Sequence, residues 1–127
     1  MNLEKVVFAF FIVLALTLNF GFYLGDIDNP DHHNAYELFA AVVASLVATV
    51  MKFGDRSQIG AFLLATSLVA DLQLIAAAII WGVAVYGSGT GLTPLVMSSI
   101  VSLSGGALLA NITSVVLLIV ETARLRR

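Results

Sequence analysis

The chain has 127 residues, of which 60% are hydrophobic and 11% are charged, and its formal net charge is −2. This composition lies outside the range of ordinary soluble domains and predicts an integral membrane protein whose main partner is the lipid bilayer. The sequence contains no cysteine, which excludes disulfides, thiolate nucleophiles and thiolate metal sites.

Four segments are long and apolar enough to cross a bilayer, since a spanning helix needs about 20 residues. They cover residues 3–24, 35–53, 59–86 and 95–123, and only short connections remain between them. The sequence therefore predicts an all-α fold, a bundle of four transmembrane helices that forms one domain over residues 1–127 and assembles into oligomers.

The first span is bulky, with five phenylalanines and with Thr17 and Asn19 as its strongly polar members. No Ala-x-Ala cleavage site follows it, so we expect a retained span rather than a secretory signal. Its bulk favours a position at the lipid-facing periphery of the bundle.

The connection after the first span is acidic and continues into an acidic start of the second span. Asn29, Pro30 and Asp31 predict that the second helix begins here, above the membrane, with a capping residue, a first helical residue and an acid near the positive end of the dipole. We expect the carboxylates to form an outer vestibule that concentrates cations through its negative field. They are Asp26, Asp28, Asp31 and Glu37.

His32 and His33 in the same connection are candidates for sensing external pH. A divalent metal site built from these histidines with Asp26 and Asp28 is the weaker interpretation, because adjacent residues at a helix start point about 100° apart. We therefore expect a solvated acidic loop, and neither a metal site nor a cofactor.

Orientation follows from the six Lys and Arg residues, because these cations concentrate in cytoplasmic loops and termini. Lys5 precedes the first span, Lys52 and Arg56 lie in the second connection, and the remaining arginines form the C-terminal tail. All six fall on one side of a four-span chain. We expect both termini in the cytoplasm, in the inner membrane of a bacterium.

Asp71 lies near the middle of the third span, where a charge costs roughly 2.5 kcal/mol or more. Such a group usually faces a cavity or a partner, so it is the main candidate for binding a proton or cation. Hydroxyl and amide oxygens at a similar depth are the candidate co-ligands: Ser67, Ser45, Thr49 and Asn111. The alternative is a structural hydrogen bond that ties two helices together.

Two further patterns predict helix–helix contacts. Thr66 and Gln73 share a face of the third span well away from Asp71, and we expect this face to meet another copy or another subunit. The fourth span has a small residue at every fourth position, which allows close approach of helix backbones: Ser98, Ser102, Gly106, Ala110 and Ser114. Packing within the chain and packing between copies remain equal alternatives for this stripe.

These features predict a homo-oligomeric channel or transporter for a small cation or proton. The alternative is a non-conducting accessory or assembly subunit of a larger membrane complex. We do not expect an enzyme, because no nucleophile, base and oxyanion donors come together in the pattern. We do not expect nucleic-acid binding either, because orientation already explains the tail arginines.

Overall fold

The computed structural model of the chain describes residues 3–87, 89 and 91–125. Its long helices are α1 (Leu3–Tyr23), α2 (Ala35–Lys52), α3 (Gln58–Gly82) and α4 (Pro94–Leu125). All four are long and apolar enough to cross a membrane, which confirms the predicted all-α fold. They begin at the predicted starts or one residue before them.

Two short elements flank the long helices at one end of the bundle. A 3-10 helix, Pro30–His32, precedes α2, and a π-helical segment, Val83–Gly87, continues α3. The Asn29 side chain accepts from the Asp31 N–H, but it caps the 3-10 helix, so the prediction that the second helix begins at this cap is wrong. The cap of α2 is Asn34, whose side chain accepts from the Tyr36 N–H.

Successive helices pack against each other, and α4 returns to pack against α1, so the four helices form a closed ring. The start of α1, the α2–α3 turn and the end of α4 lie at one end, together with Lys5, Lys52, Arg56 and Arg124. We call it the basic end. The α1–α2 and α3–α4 connections lie at the opposite, acidic end.

The prediction that α1 lies at the lipid-facing periphery is wrong for one of its faces. Because α1 closes the ring, it packs against both α2 and α4. One line of its side chains is buried: Phe8, Ile12, Ala15, Asn19 and Phe22. Bulk alone did not reveal this line, because phenylalanines occur on both faces of α1, with Phe10 and Phe20 exposed.

The apolar core is divided into two clusters. The larger one occupies the half of the bundle near the acidic end and includes Phe22, Leu38, Leu74 and Met97. The smaller one lies near the basic end and consists of Phe8, Ile12, Ala48 and Leu63. Ser45 of α2 and Ser67 of α3 lie between these clusters along the helices, and Asp71 directly follows Ala70 of the larger cluster.

The α2–α3 turn is held by Asp55, whose Oδ1 accepts from the Ser57 N–H (2.9 Å) and the Ser57 hydroxyl (2.7 Å). These two bonds, assisted by the charge of Lys52, hold the pKa of the Asp55 carboxyl below its ordinary value. Ser57 in turn caps α3 by accepting from the Gly60 N–H. A Cβ on Gly60 would collide with the Asp55 carboxylate, so the turn requires glycine there.

Gly60→Ala is therefore expected to destabilise the protein relative to Gly82→Ala. Both variants remove a helical glycine, but nothing lies within 4 Å of a Cβ built on Gly82. The difference in the free energy of unfolding should be about 1 kcal/mol, the usual contribution of a helix cap. Reversible unfolding in detergent micelles, followed by circular dichroism, measures it. Equal stability of the two variants would contradict this account of the turn.

Candidate functional site: a buried carboxylate between α2 and α3

Asp71 is buried in the bundle, with 6% of its surface exposed. It lies on the face of α3 that packs against α2, and α2 provides its hydrogen-bond donors. The Ser45 hydroxyl donates to Oδ1 (2.6 Å) and the Thr49 hydroxyl donates to Oδ2 (2.5 Å). Both lengths lie within the usual range of O–H···O hydrogen bonds. Two predicted co-ligands of Asp71 thus contact it directly.

Ser67 lies one helical turn before Asp71 on α3 and is fully buried. Its hydroxyl has no hydrogen-bond partner among the described residues. A buried hydroxyl without a partner is costly, because it loses its bonds to water without replacement. Ser67 thus lies near Asp71 as predicted for a co-ligand, but its hydroxyl makes no hydrogen bond to the carboxylate.

Asn111 was predicted to join the Asp71 site, but the structure bonds it to α1 instead. Its Oδ1 accepts from Asn19 Nδ2 (3.2 Å), and the same Nδ2 approaches the Ser104 carbonyl oxygen (3.1 Å). The Ser104 hydroxyl donates to Asn19 Oδ1 (2.5 Å). All three side chains are fully buried. They form a second polar cluster, the amide cluster, which joins α1 to α4.

The amide cluster was missed by sequence reasoning because Asn19 was assigned to a lipid-facing helix. The available signals were Asn19 itself, the one amide side chain in α1, and the seven-residue spacing of Ser104 and Asn111. The cluster is not fully satisfied, since Asn111 Nδ2 has no partner among the described residues.

A pocket of about 260 Å³ opens at the basic end and is lined in part by Glu4, Phe8, Lys52 and Asp55. Lys52 follows Thr49 by one turn of α2. Its ammonium pairs with Asp55 (3.5 Å) and lies 4.2 Å from the centre of the Phe8 ring. The cation nearest to the site along α2 is thus engaged with Asp55 and Phe8.

The second polar face of α3 contacts α4 within the chain and also borders an open groove. The expectation that it meets another copy or another subunit stays a prediction. The hydroxyls of Thr66 and Ser114 are hydrogen-bonded (2.6 Å). The Gln73 amide covers Gly106, where a Cβ would collide with it. Both contacts join α3 to α4, so Thr66 and Gln73 lie at an interface within one protomer. Gln73 Oε1 is buried without a partner among the described residues.

The small-residue stripe of α4 is divided between two environments. Gly106, Ala110 and Ser114 pack towards α3, with Ser114 fully buried. Ser102 is exposed, and the partly exposed Ser98 bonds its own helix through the Leu95 carbonyl. A repeat of four residues drifts around a helix of 3.6 residues per turn. The stripe therefore winds from the outside of the bundle into the α3–α4 seam.

The predicted vestibule residues lie at the acidic end. Asp26, Asp28 and Asp31 are exposed on the α1–α2 connection. Glu37 is partly buried, because its carboxylate lies against Gly21 of α1, where a Cβ would collide with it. Three of the four carboxylates are thus open to the surroundings, and the fourth lies in a helix contact.

Both histidines contact the backbone of Asp26. His33 is buried, and its Nδ1 and Nε2 face the carbonyl oxygens of Phe22 (2.5 Å) and Asp26 (2.7 Å). His32 Nδ1 accepts from the Asp26 N–H (2.8 Å). The two rings therefore hold the backbone of this connection, and pH sensing stays a prediction.

Within residues 3–87, 89 and 91–125, the structure brings no group of three or more His, Asp and Glu side chains together as a metal site. In these described residues, the side chains of the acidic connection therefore do not form the geometry of a metal site.

The sequence profile of a family of unknown function (DUF6394) matches residues 32–122 of this chain. This range includes α2, α3, nearly all of α4, Asp71 and both residues whose hydroxyls donate to its carboxylate. No curated protein and no solved structure shows significant similarity to the chain.

Proposed function

Because the chain belongs to the DUF6394 family, whose description names no activity, we propose a function from the geometry: a homo-oligomeric channel or transporter that moves a proton or small cation by way of Asp71. The observation that carries this proposal is a single buried carboxylate, held by two hydroxyls and surrounded by apolar side chains of the bundle. Ionisable groups at membrane depth usually serve ion pathways or proton relays.

The position of Asp71 favours a site within each protomer over a site between copies. On α3, the adjacent Ala70 and the following Leu74 belong to the larger apolar cluster, and Leu63, about two turns before Asp71, belongs to the smaller one. A carboxylate surrounded by apolar side chains of one bundle is typical of an occluded binding site rather than an open pore. Copies of the protein would then work side by side, each with its own carboxylate.

The charges at the two ends of the bundle indicate from which side of the membrane cations would enter. The positive-inside rule assigns the basic end to the cytoplasm and the acidic end to the outside of a bacterial inner membrane. Asp26, Asp28 and Asp31 would then attract cations from outside. From the other side, the pocket at Lys52 approaches the site to within about one helical turn of Thr49.

Ion flux into liposomes that contain the purified protein tests this function. A pH-sensitive dye inside the vesicles follows protons, isotope uptake follows Na⁺ and K⁺, and an imposed membrane potential supplies the driving force. Asp71→Asn keeps the shape of the side chain and removes its charge. We expect its flux to fall to that of protein-free liposomes, while Glu121→Gln near the basic end of α4, which has no part in the proposed path, retains flux. Undiminished flux in Asp71→Asn would rule out the carboxylate mechanism.

The accessory-subunit function is a second candidate, favoured by an open groove of about 450 Å³ between α3 and α4. The groove is lined by small residues and by Gln73, whose Oε1 lacks a partner among the described residues. A helix of another membrane protein could fill it, since small residues allow close approach and buried amides bond across helices.

Native mass spectrometry of gently extracted protein distinguishes the two candidates. A complex of identical chains in a fixed number supports the channel or transporter. A different polypeptide in fixed ratio to this one supports the accessory subunit. Ala65→Leu, which narrows the groove at its exposed edge, is expected to dissociate either complex, and Ala123→Leu near the exposed end of α4 is the control.

A further inference from the structure

Several oxygen atoms of α2 lie around the Asp71 carboxylate. The Ser45 and Thr49 hydroxyls donate to it, and a donating hydroxyl oxygen keeps lone pairs that can contact a cation. The Ser45 carbonyl oxygen also accepts from the Thr49 hydroxyl (2.9 Å), so this hydroxyl shares its one hydrogen between the carbonyl and the carboxylate. Carboxylate, hydroxyl and carbonyl oxygens are the ligands that hard cations prefer.

Ser67 provides an independent indication of a ligand. It is fully buried, lies one turn from Asp71 on the same face of α3, and its hydroxyl oxygen has no hydrogen-bond partner among the described residues. Burial of such a group is unfavourable unless something contacts it. A bound ion beside Asp71 would satisfy this oxygen together with those of α2.

Charge balance limits the ion to one positive charge. The cluster contains one carboxylate, and Lys52 on the next turn of α2 pairs with Asp55 instead. One monovalent cation neutralises the site, whereas a divalent cation would leave an excess positive charge among apolar side chains, which is unfavourable.

We propose that Asp71, Ser45, Thr49 and Ser67 bind a dehydrated monovalent alkali cation, with Na⁺ as the test ion, in competition with a proton. This inference rests on the proposed function and names its substrate class. Competition follows because the proton and the cation both neutralise the same carboxylate. Binding of one excludes the other, so a protein that exposes this site to each side of the membrane in turn would couple the two ions.

Carbodiimide labelling tests the site without any transport measurement. Dicyclohexylcarbodiimide is apolar and attacks protonated carboxyl groups, and intact-mass and peptide spectrometry locate the adduct. We expect labelling of Asp71 in choline chloride and protection by NaCl at equal ionic strength. At a Na⁺ concentration ten times the dissociation constant, labelling should slow about tenfold, and more Na⁺ should be needed at lower pH.

Ser67→Ala is expected to raise the Na⁺ concentration for half-protection about tenfold, as for loss of one good ligand contact. Ser99→Ala is the matched control, since the Ser99 hydroxyl is exposed and bonds the Leu95 carbonyl of its own helix. A shift in Ser67→Ala alone supports the proposed ligand set. Equal half-protection in wild type, Ser67→Ala and Ser99→Ala would overturn the role of Ser67.

Labelling that follows pH but ignores Na⁺ would overturn the alkali-cation site. The proposed function would survive that result if Asp71→Asn still abolished proton flux. A thermal measurement tests the site even if the carbodiimide does not reach it. NaCl should raise the unfolding temperature of the wild type above its value in choline chloride. It should not do so in Asp71→Asn. Absence of this difference in the wild type would also overturn the site.

Discussion

Ser45→Ala combined with Thr49→Val is expected to lower the free energy of unfolding by about 3 kcal/mol or more. Each hydroxyl donates to one oxygen of the buried Asp71 carboxylate, and a hydrogen bond to a charged group contributes roughly 1.5–3 kcal/mol. Without these donors the carboxylate stays buried but loses its solvation. Equilibrium unfolding in mixed micelles measures the loss.

The control for this double variant is Thr113→Val, which removes an exposed hydroxyl that bonds its own helix through the Leu109 carbonyl. We expect it to change stability by less than about 0.5 kcal/mol. The loss from the double variant should also shrink in an Asp71→Asn background, because the charge is then absent. If the double variant unfolds like Thr113→Val, the hydroxyls do not stabilise Asp71.

Asn19→Leu is expected to lower the free energy of unfolding by about 2–3 kcal/mol. It removes the bonds of the Asn19 amide to the Asn111 side chain, the Ser104 carbonyl and the Ser104 hydroxyl. Hydrogen bonds between membrane helices average roughly 0.6 kcal/mol and reach about 2, and Asn111 would then be buried without its partner. The same unfolding assay, applied to the wild type and the variant, gives the difference.

Asn111→Leu made together with Asn19→Leu should recover part of this stability. Replacing both partners by apolar groups leaves no orphaned amide, and such double replacements can be nearly neutral. Thr17→Val is the control on α1, since Thr17 is exposed and bonds the Leu14 carbonyl. A double variant that loses the sum of the single losses would show that the amide cluster contributes by packing and not by hydrogen bonding.

The local patterns of the chain were sufficient to predict the helices and their first residues. Apolar runs of spanning length determine where helices form, because a helix satisfies its own backbone hydrogen bonds. The same reasoning applies to Asn29, which caps a helix as its side chain and neighbours indicate. The pattern did not indicate that this helix stops after three residues and that Asn34 starts another.

The contents of the Asp71 site could be predicted in part. Helical spacing and depth indicated Ser45 and Thr49, and both contact the carboxylate. They also indicated Asn111, which bonds Asn19 on α1 instead. Depth is a function of position along a helix, whereas the partner of a side chain depends on the rotation of each helix about its axis. That rotation is decided by the packing of all four helices.

By itself the sequence determined the fold class, the order of the helices and the separation of basic and acidic ends, since these follow from local hydropathy and charge. Only the tertiary structure decided that α1 closes the ring, that Thr66 and Gln73 pack against α4 within one chain, and that Asp71 is held by α2. The physical reason is that each apolar helix offers several faces of similar hydrophobicity. The choice among them is made by close packing and by the pairing of buried polar groups, which involve residues far apart in the sequence.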